Sequence, residues 1–556
     1  MIGVEAAIAN GFAAYKRGDL QNARAILERV PHHQAWHVLG LVERASGQYA
    51  RAISWLDKAE KSDPQNPEIA NNKGRVALDA GDPIYAERSF RRALVLRPDW
   101  LPALTGLGRS LNDQEKWRDA HPVWLKVVAL NPSDRACRYN AAMAALETGQ
   151  VESAQQEFDR LIKSGLTDPA VYFMRGRARV ELSRLEEGLN DFRVSWNKQK
   201  TAHALRNLAN TLWMTGDQQG FYDLLREAPD ELGGLKMFLL SKSGDGELAL
   251  EVWKSLPTQF QNDPDTLTAK SNIHRLRGDA SEALMAARKA HELRPHQANI
   301  DDALVSAQLM SGDHEAALET VSEWRSREPN VQSWIAHEAT ALRLADSDKY
   351  TELANPDRFI QAFQLETPDG YDSIEEFNDA LIEAIAPMQS FDQRPLDQTL
   401  RAGTQTARDL VHVQDETIQT FLRALDAPIR TYLASIGFVE NHPFLGRNRG
   451  SYQFNGCWSV TLKGGGHHVN HVHPRGWISS AYYARVPAET LSGDSKAGWI
   501  KFGEPPFETI PNLDPVKWEQ PKAGLLVLFP SFFWHGTQPI HDASERVTVP
   551  FDLVPA

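Results

Sequence analysis

The sequence predicts a multidomain α plus β protein: an N-terminal α-solenoid of helix-pair repeats, a connector, and a C-terminal antiparallel β domain with supporting helices. Three observations carry this. A small residue, often Gly followed by Asp, recurs at a near-constant step through about residue 345. That period is lost after Ala345. From Ser451 the chain becomes short β-branched and aromatic runs separated by Gly and Pro, the pattern of a sandwich or barrel.

Size and composition set the frame. At 556 residues the chain is too long for one ordinary core, so two or more domains are expected. Hydrophobic residues make up 42% and charged residues 24%, as in soluble globular proteins. No run of eighteen apolar residues occurs, which predicts no membrane partner. The first twenty residues lack a basic start followed by an apolar block, so they read as a first helix and not as an export signal. Cys137 and Cys457 are the two cysteines, which predicts no disulfide framework and a reducing, cytoplasmic setting. With 60 basic against 73 acidic residues, the net charge of −13 works against phosphate-backbone binding, so no nucleic-acid partner is expected.

The repeat markers are Gly18, Gly47, Gly81, Glu115, Gly149, Ser183, Gly216, Gly244, Gly278 and Gly312. From Gly47 the successive steps are 34, 34, 34, 34, 33, 28, 34 and 34, and Pro64, Pro98 and Pro132 keep the same spacing. Within a unit such as 67–98, apolar residues recur at helical intervals and Gly81-Asp82 interrupts them as a turn. Proline closes each unit because it cannot continue a helix and suits the start of the next. One helix pair cannot bury its own apolar face, so the pairs must stack. This region resembles the tetratricopeptide family. The resemblance implies a superhelix over 1–345 with a concave surface for a peptide or protein, and self-association into a homo-oligomer is compatible with such a surface. The 28-residue step predicts a shortened copy near Gly244.

Residues 346–395 read as connector and linking helix: 346–372 as a connector followed by an extended segment, then a helix over 373–385 capped by Asp372 or Ser373. A second domain is expected over 396–556, its β core starting near 450. One further helix is predicted from Asp415 to Ile436, where Leu422, Ile429, Tyr432 and Leu433 keep a helical period. The segment containing Gly403, Thr404, Gln405 and Thr406 reads as irregular, either a surface loop or the rim of a pocket.

Chemistry concentrates near the C-terminus. His467, His468, His471 and His473 fall within seven residues, after the run Gly464–Gly466, which would let the backbone turn tightly. On a strand, His471 and His473 share a face and can grip one ion. His535, at the end of a later apolar strand, offers a third nitrogen. Nitrogen donors without cysteine suit iron, zinc or copper better than calcium or magnesium. Arg546, eleven residues on, lies in an apolar strand with Thr548 on the same face. A buried guanidinium needs an anion, and its fork matches a carboxylate. A structural pairing with Asp552 is the alternative.

The segments WSV-x-L-x-x-GG-x-H-x-NHVHP-x-GWISSAYY, PSFFWHGT and ERVTVPFD resemble the 2-oxoglutarate- and Fe(II)-dependent oxygenases found behind tetratricopeptide repeats. The resemblance spans Trp458 to Pro555 and implies a double-stranded β-helix, or jelly roll. It implies Fe(II) held by His471, His473 and His535, and 2-oxoglutarate met by Arg546, Thr548 and Tyr483, with dioxygen as co-reactant. His467, His468, Asn470, Tyr482 and Trp477 are placed as neighbours of the ligands or substrate-facing groups. The wider superfamily uses two histidines and one carboxylate, with the acid two residues after the first histidine. Here that position is His473. The ligand set is then three histidines, or two with a site open to water or chloride, or a set completed by a remote acid such as Asp494 or Glu504. The expected activity is hydroxylation of a peptide or protein brought in by the repeats. A non-catalytic scaffold with a degenerate oxygenase fold, or a cupin-type metal protein that does not use 2-oxoglutarate, are the rival readings.

Overall fold

The computed structural model describes residues 3–389, 393–492, 495–542 and 544–556, and it divides into two compact units, 1–178 and 179–556. The first is a series of antiparallel helix pairs, from Val4–Lys16 with Leu20–Leu27 to Arg135–Glu147 with Val151–Lys163. The turn chemistry is what the markers require. All ten marker positions take a left-handed backbone, from φ 55° at Glu115 to 104° at Gly244. At Gly81 (φ 76°) the chain reverses, the Asp82 carboxylate accepts from Tyr85 N–H at 2.9 Å, and Pro83 opens the next helix. Between helices, glycine also permits close approach: a β-carbon on Gly108 would sit 2.6 Å from the Trp124 ring.

The second unit continues the helix pairs and carries the β domain. Its copy before Gly244 is short, with helices of 10 and 11 residues; the helix after it also has 10, where the repeat helices on either side of this stretch have 13 or 14. Within 346–372 the extended segment is β1 (Gln361–Gln364), and the following helix, Ile374–Ile385, is capped by Ser373 accepting from Glu376 N–H. The single helix expected from Asp415 to Ile436 is two, Glu416–Ala424 and Asp426–Ile436. Pro428 is the cause, because it has no N–H to bond the carbonyl of Ala424, and the helix restarts around it.

The remaining strands are β2 (Leu400–Gln405), β3 (Tyr452–Cys457), β4 (Val460–His468), β5 (Ile478–Arg485), β6 (Ile500–Phe502), β7 (Lys517–Glu519), β8 (Leu525–Pro530), β9 (His535–Thr537), β10 (Arg546–Thr548) and β11 (Phe551–Pro555). The larger sheet runs β1-β8-β5-β10-β4-β2, with β11 joined to β5 and β3; the smaller is β7-β6-β9. Every pairing is antiparallel. Two local expectations change here. Gly403–Gln405 belong to β2 and are not irregular, because β4 supplies a partner strand that the local sequence does not announce. Gly464–Gly466 lie inside β4, where Gly465 (φ 80°) sits across a register shift containing Ala402 (φ 48°). They accommodate a β-bulge and not a turn before the ligands.

One core joins most of the β domain to its supporting helices. Phe377, Leu381, Phe421, Ile429 and Tyr432 from the supporting helices meet Leu526, Leu528, Phe551 and Leu553 from the sheet. Each such fully buried side chain contributes about 1.5–3 kcal/mol. Ile335, Ala336 and Ala339, from the repeat helix Gln332–Leu344, belong to the same core. Trp534 Nε1 donates to Thr340 Oγ1 at 2.9 Å, and Arg343 donates to the carbonyls of Gly503 and Asp514. The later repeats are therefore part of the framework that holds the site.

A three-histidine cluster beside an unpaired arginine

β4 stops at His468, so His471 and His473 are not on a regular strand. The chain runs alongside β9 instead, where His471 and His535 exchange backbone hydrogen bonds of 2.9 and 3.0 Å. Their spacing of two still turns both rings to one side. The rings of His471, His473 and His535 form a triangle with centroid separations of 5.1, 4.2 and 5.1 Å. One nitrogen from each lies within 4.8 Å of the others, the arrangement of a candidate metal centre.

Hydrogen bonds fix which nitrogen faces inward. His471 Nδ1 donates to the Val469 carbonyl and His535 Nδ1 to that of Phe533, each at 2.9 Å. His473 Nδ1 lies 2.6 and 2.7 Å from the two oxygens of Asp552. Each ring thus spends Nδ1–H on an outer acceptor and turns the Nε2 lone pair inward. The Nε2 atoms of His471 and His473 are only 3.2 Å apart. Two bare nitrogens at that distance repel. A shared proton relieves one such pair; a metal ion relieves all three. Burial foremost, then the neighbouring imidazoles, pushes His471 down to about 3 and His535 well below its ordinary range, so both remain neutral ligands at physiological pH.

Asp552 is the group whose role the sequence hid. The residue is 8% exposed, and its carboxylate accepts from His473 and also from Ser479 Oγ at 2.7 Å. It does not pair with Arg546, contrary to the alternative considered from sequence. The carboxylate that a two-histidine, one-acid set would place on the metal stands here one ring further out, behind His473. Asp494 lies outside the described residues, Glu504 is paired with Lys501, and among the described residues no acid joins the three imidazoles.

Arg546 is 2% exposed and has no ion-pair partner among the described residues. One amino group donates to the Gly498 carbonyl at 2.7 Å, while Nε, also buried, has no partner. Tyr483 lies below it, guanidinium to ring centroid 5.9 Å, and burial pushes the phenol up to about 12 against the pull of Arg546. A buried, uncompensated cation is costly, which makes Arg546 a candidate to receive an anion. Arg546, Tyr483, Thr548 and the three histidines line one cavity of about 500 Å3, which Gln405, Asn455 and Trp458 also wall. Gln405 fits the pocket-rim alternative read from the sequence, while sequence reasoning missed Asn455 and the wall role of Trp458. Trp458 and Phe529 cover the rings of His473 and His535, at 5.8 and 4.7 Å.

The remaining expected site residues separate. His468 lines this cavity and bonds Thr399 Oγ1 at 3.1 Å. His467 and Asn470 face a second, adjoining cavity. Tyr482 and Trp477 do not reach either one: strand alternation turns Tyr482 into the core, where its hydroxyl donates to Asn378, and Trp477 donates to the Phe444 carbonyl.

Fold and site together define a tetratricopeptide-type α-solenoid joined to an antiparallel β domain that carries an imidazole cluster and a buried, unpaired arginine. Two family models match parts of the chain. Residues 456–552 match the family described as "Putative 2OG-Fe(II) oxygenase", a span that contains all three histidines, Arg546 and Asp552. Residues 8–67, 105–169 and 139–194 match the tetratricopeptide repeat family. Among curated proteins, the chain is similar to Protein FlbA of Caulobacter vibrioides, 22% identical over 157 residues, covering 28% of this chain and 26% of that protein. It is also similar to Cellulose synthase operon protein C of Xanthomonas axonopodis pv. citri, 25% identical over 319 residues, covering 51% of this chain and 20% of that one. The chain thus spans about a quarter or less of the length of these relatives. Among solved structures, the tetratricopeptide protein YrrB aligns at 20% identity with a TM-score of 0.31, over 33% of this chain and 94% of that one. Both cysteines are buried and free, and no helix among the described residues is long and apolar enough to cross a membrane.

Proposed function

We propose that this chain is an Fe(II)- and 2-oxoglutarate-dependent oxygenase that hydroxylates a peptide or protein recruited by its repeats. The observation that carries this reading is the convergence of three inward Nε2 lone pairs with an unpaired, buried guanidinium in one cavity. Charge supports it. Fe(II), Arg546 and Asp552 together leave two positive charges, which a dicarboxylate dianion cancels. Such a pair supplies, when bound, the activation of dioxygen toward a C–H bond, at the expense of decarboxylating the cosubstrate.

The protein's own groups do the rest. His471, His473 and His535 would hold the metal, and their backbone and Asp552 partners keep each ring in the required tautomer. Arg546, through its unpaired Nε edge, would receive the distal carboxylate, with Thr548 beside it. Trp458 and Phe529 shield the imidazoles from bulk water. An open metal coordinated by a cupin-like fold would leave Arg546 without a role.

Succinate release from the full chain supplied with Fe(II), 2-oxoglutarate and air tests the proposal. The expected outcome is slow succinate formation without added substrate, absent when Fe(II) is omitted; iron binding with no succinate under any condition would leave the non-catalytic scaffold as the better account. Asp552→Asn keeps the shape but loses the charge behind His473. Its expected effect is a fall in Fe(II) affinity of about 10–100-fold, measured by anaerobic titration.

A further inference from the structure

A second cavity, of about 900 Å3, adjoins the first and shares His468 and His471 with it. One wall comes from the β domain, through Asn470, Phe507 and Trp534. The other comes from the later repeat helices Gly233–Ser243, Pro264–Leu276, Ala298–Met310 and Gln332–Leu344. The lining carries more cations than acids, in a chain of net charge −13. Lys242 and Arg275 stand on the repeat wall and Arg401, on β2, lines the cavity from the β domain; all three are half-buried, and none has an ion-pair partner among the described residues. Arg275 donates to the Pro506 carbonyl and Asn272 Oδ1, at 3.3 and 3.4 Å, and lies 5.8 Å from the Phe507 ring, while Arg401 bonds the carbonyls of Gln398 and Leu400. Lys242 Nζ lies over the Phe238 ring at 5.4 Å. The three feel one another: burial, then the charges of Arg275 and Arg401, pushes the Lys242 ammonium below its ordinary range. Three acids also line the cavity, and of these Asp302 acts on Arg275 without forming an ion pair with it. Asp302 is bonded by His337, Glu504 is held by Lys501, and Glu508 is exposed.

We propose that this cavity binds the substrate as an extended acidic peptide, its Asp or Glu side chains met by Lys242, Arg275 and Arg401, and leads it to His471. The inference rests on the reading of the histidine cluster as the reaction centre. Unpaired cations gathered in a cleft focus potential toward an incoming anion. A cavity at the upper end of the usual ligand range exceeds what a single small acid fills. Asn272, Ser306 and Gln538 add hydrogen-bonding groups suited to a peptide backbone. The repeats would then contribute side chains to the substrate site itself and not serve only as a distant docking arm.

Fluorescence anisotropy with the full chain tests this, using a fluorescein-labelled decapeptide of alternating Gly and Glu and its Gln counterpart. The Glu peptide is expected to bind at least about tenfold tighter, and Lys242→Glu and Arg275→Gln each to weaken it about tenfold. Lys163→Glu, an exposed reversal in the first compact unit, should change nothing. Should Arg275→Gln unfold, as read by thermal melting, Arg401→Gln replaces it. Equal binding of the two peptides, an equal loss in Lys163→Glu, or equally tight binding of free glutamate or a single-stranded oligonucleotide would overturn the inference. The titration is run in EDTA and again with Fe(II), so the two readings fail separately. Peptide binding without iron binding removes the oxygenase alone, and iron binding with no preference for the acidic peptide removes this inference alone.

Discussion

His535→Ala is expected to lower the Fe(II) affinity of the full chain by more than about 100-fold, beyond the range seen when only a supporting residue is lost. The reason is geometric. With three neutral nitrogens and no acid in the cluster, each imidazole carries a third of the protein's hold on the ion. The substitution leaves the fold in place, because what joins the two segments is the backbone pair between His471 and His535, whose N–H and C=O groups survive it. Anaerobic titration with Fe(II), or with Co(II) as a visible reporter, measures the loss. Mild acid should not imitate the variant through these two rings, since burial keeps His471 and His535 neutral well below pH 6.5. An unchanged affinity would mean that another donor completes the set, and the three-histidine assignment would fall.

Local rules made much of this molecule legible. The repeat step follows from turn chemistry: every marker needs a left-handed backbone, and even Glu115 and Ser183, which lack glycine's freedom, adopt it to keep the step. Asp346 (φ 49°) lies a further 34 residues after Gly312 and extends the series by one turn. The helix at 374–385 was readable because its cap is written beside it. What escaped were features set by distant partners. β2 is a strand because β4 lies next to it, and the glycine run bends because the bulge at Ala402 lies across from it. The repeat helix 332–344 is buried against the β domain, and no local pattern announces that. At the site, the histidine spacing pointed to a cluster, but the partner of Asp552 depends on how β11 sits beside β5, where Asp552 faces Ser479. An acid in an apolar strand signals a buried partner without saying which one.

Arg546→Leu separates a ligand-binding arginine from a structural one by the sign of two effects. An arginine held for stability would have a carboxylate partner, and removing it would strand that acid at a cost of about 3–5 kcal/mol. Here no acid is paired with it among the described residues, and its Nε is buried without a partner. Replacing an uncompensated charge with an apolar side chain of comparable length should therefore leave the apoprotein's melting temperature unchanged or raise it. The loss should appear on ligand binding instead. Truncating one partner of a buried, hydrogen-bonded charge pair costs about 3 kcal/mol or more, a factor of at least about 100 in the dissociation constant of 2-oxoglutarate. Fe(II) affinity in the absence of 2-oxoglutarate should stay as it was, because Arg546 touches none of the imidazoles. A variant that melts early and binds 2-oxoglutarate normally would return Arg546 to the structural account. Parallel loss of iron and 2-oxoglutarate would show instead that the guanidinium shapes the metal cluster and does not read the cosubstrate's far end.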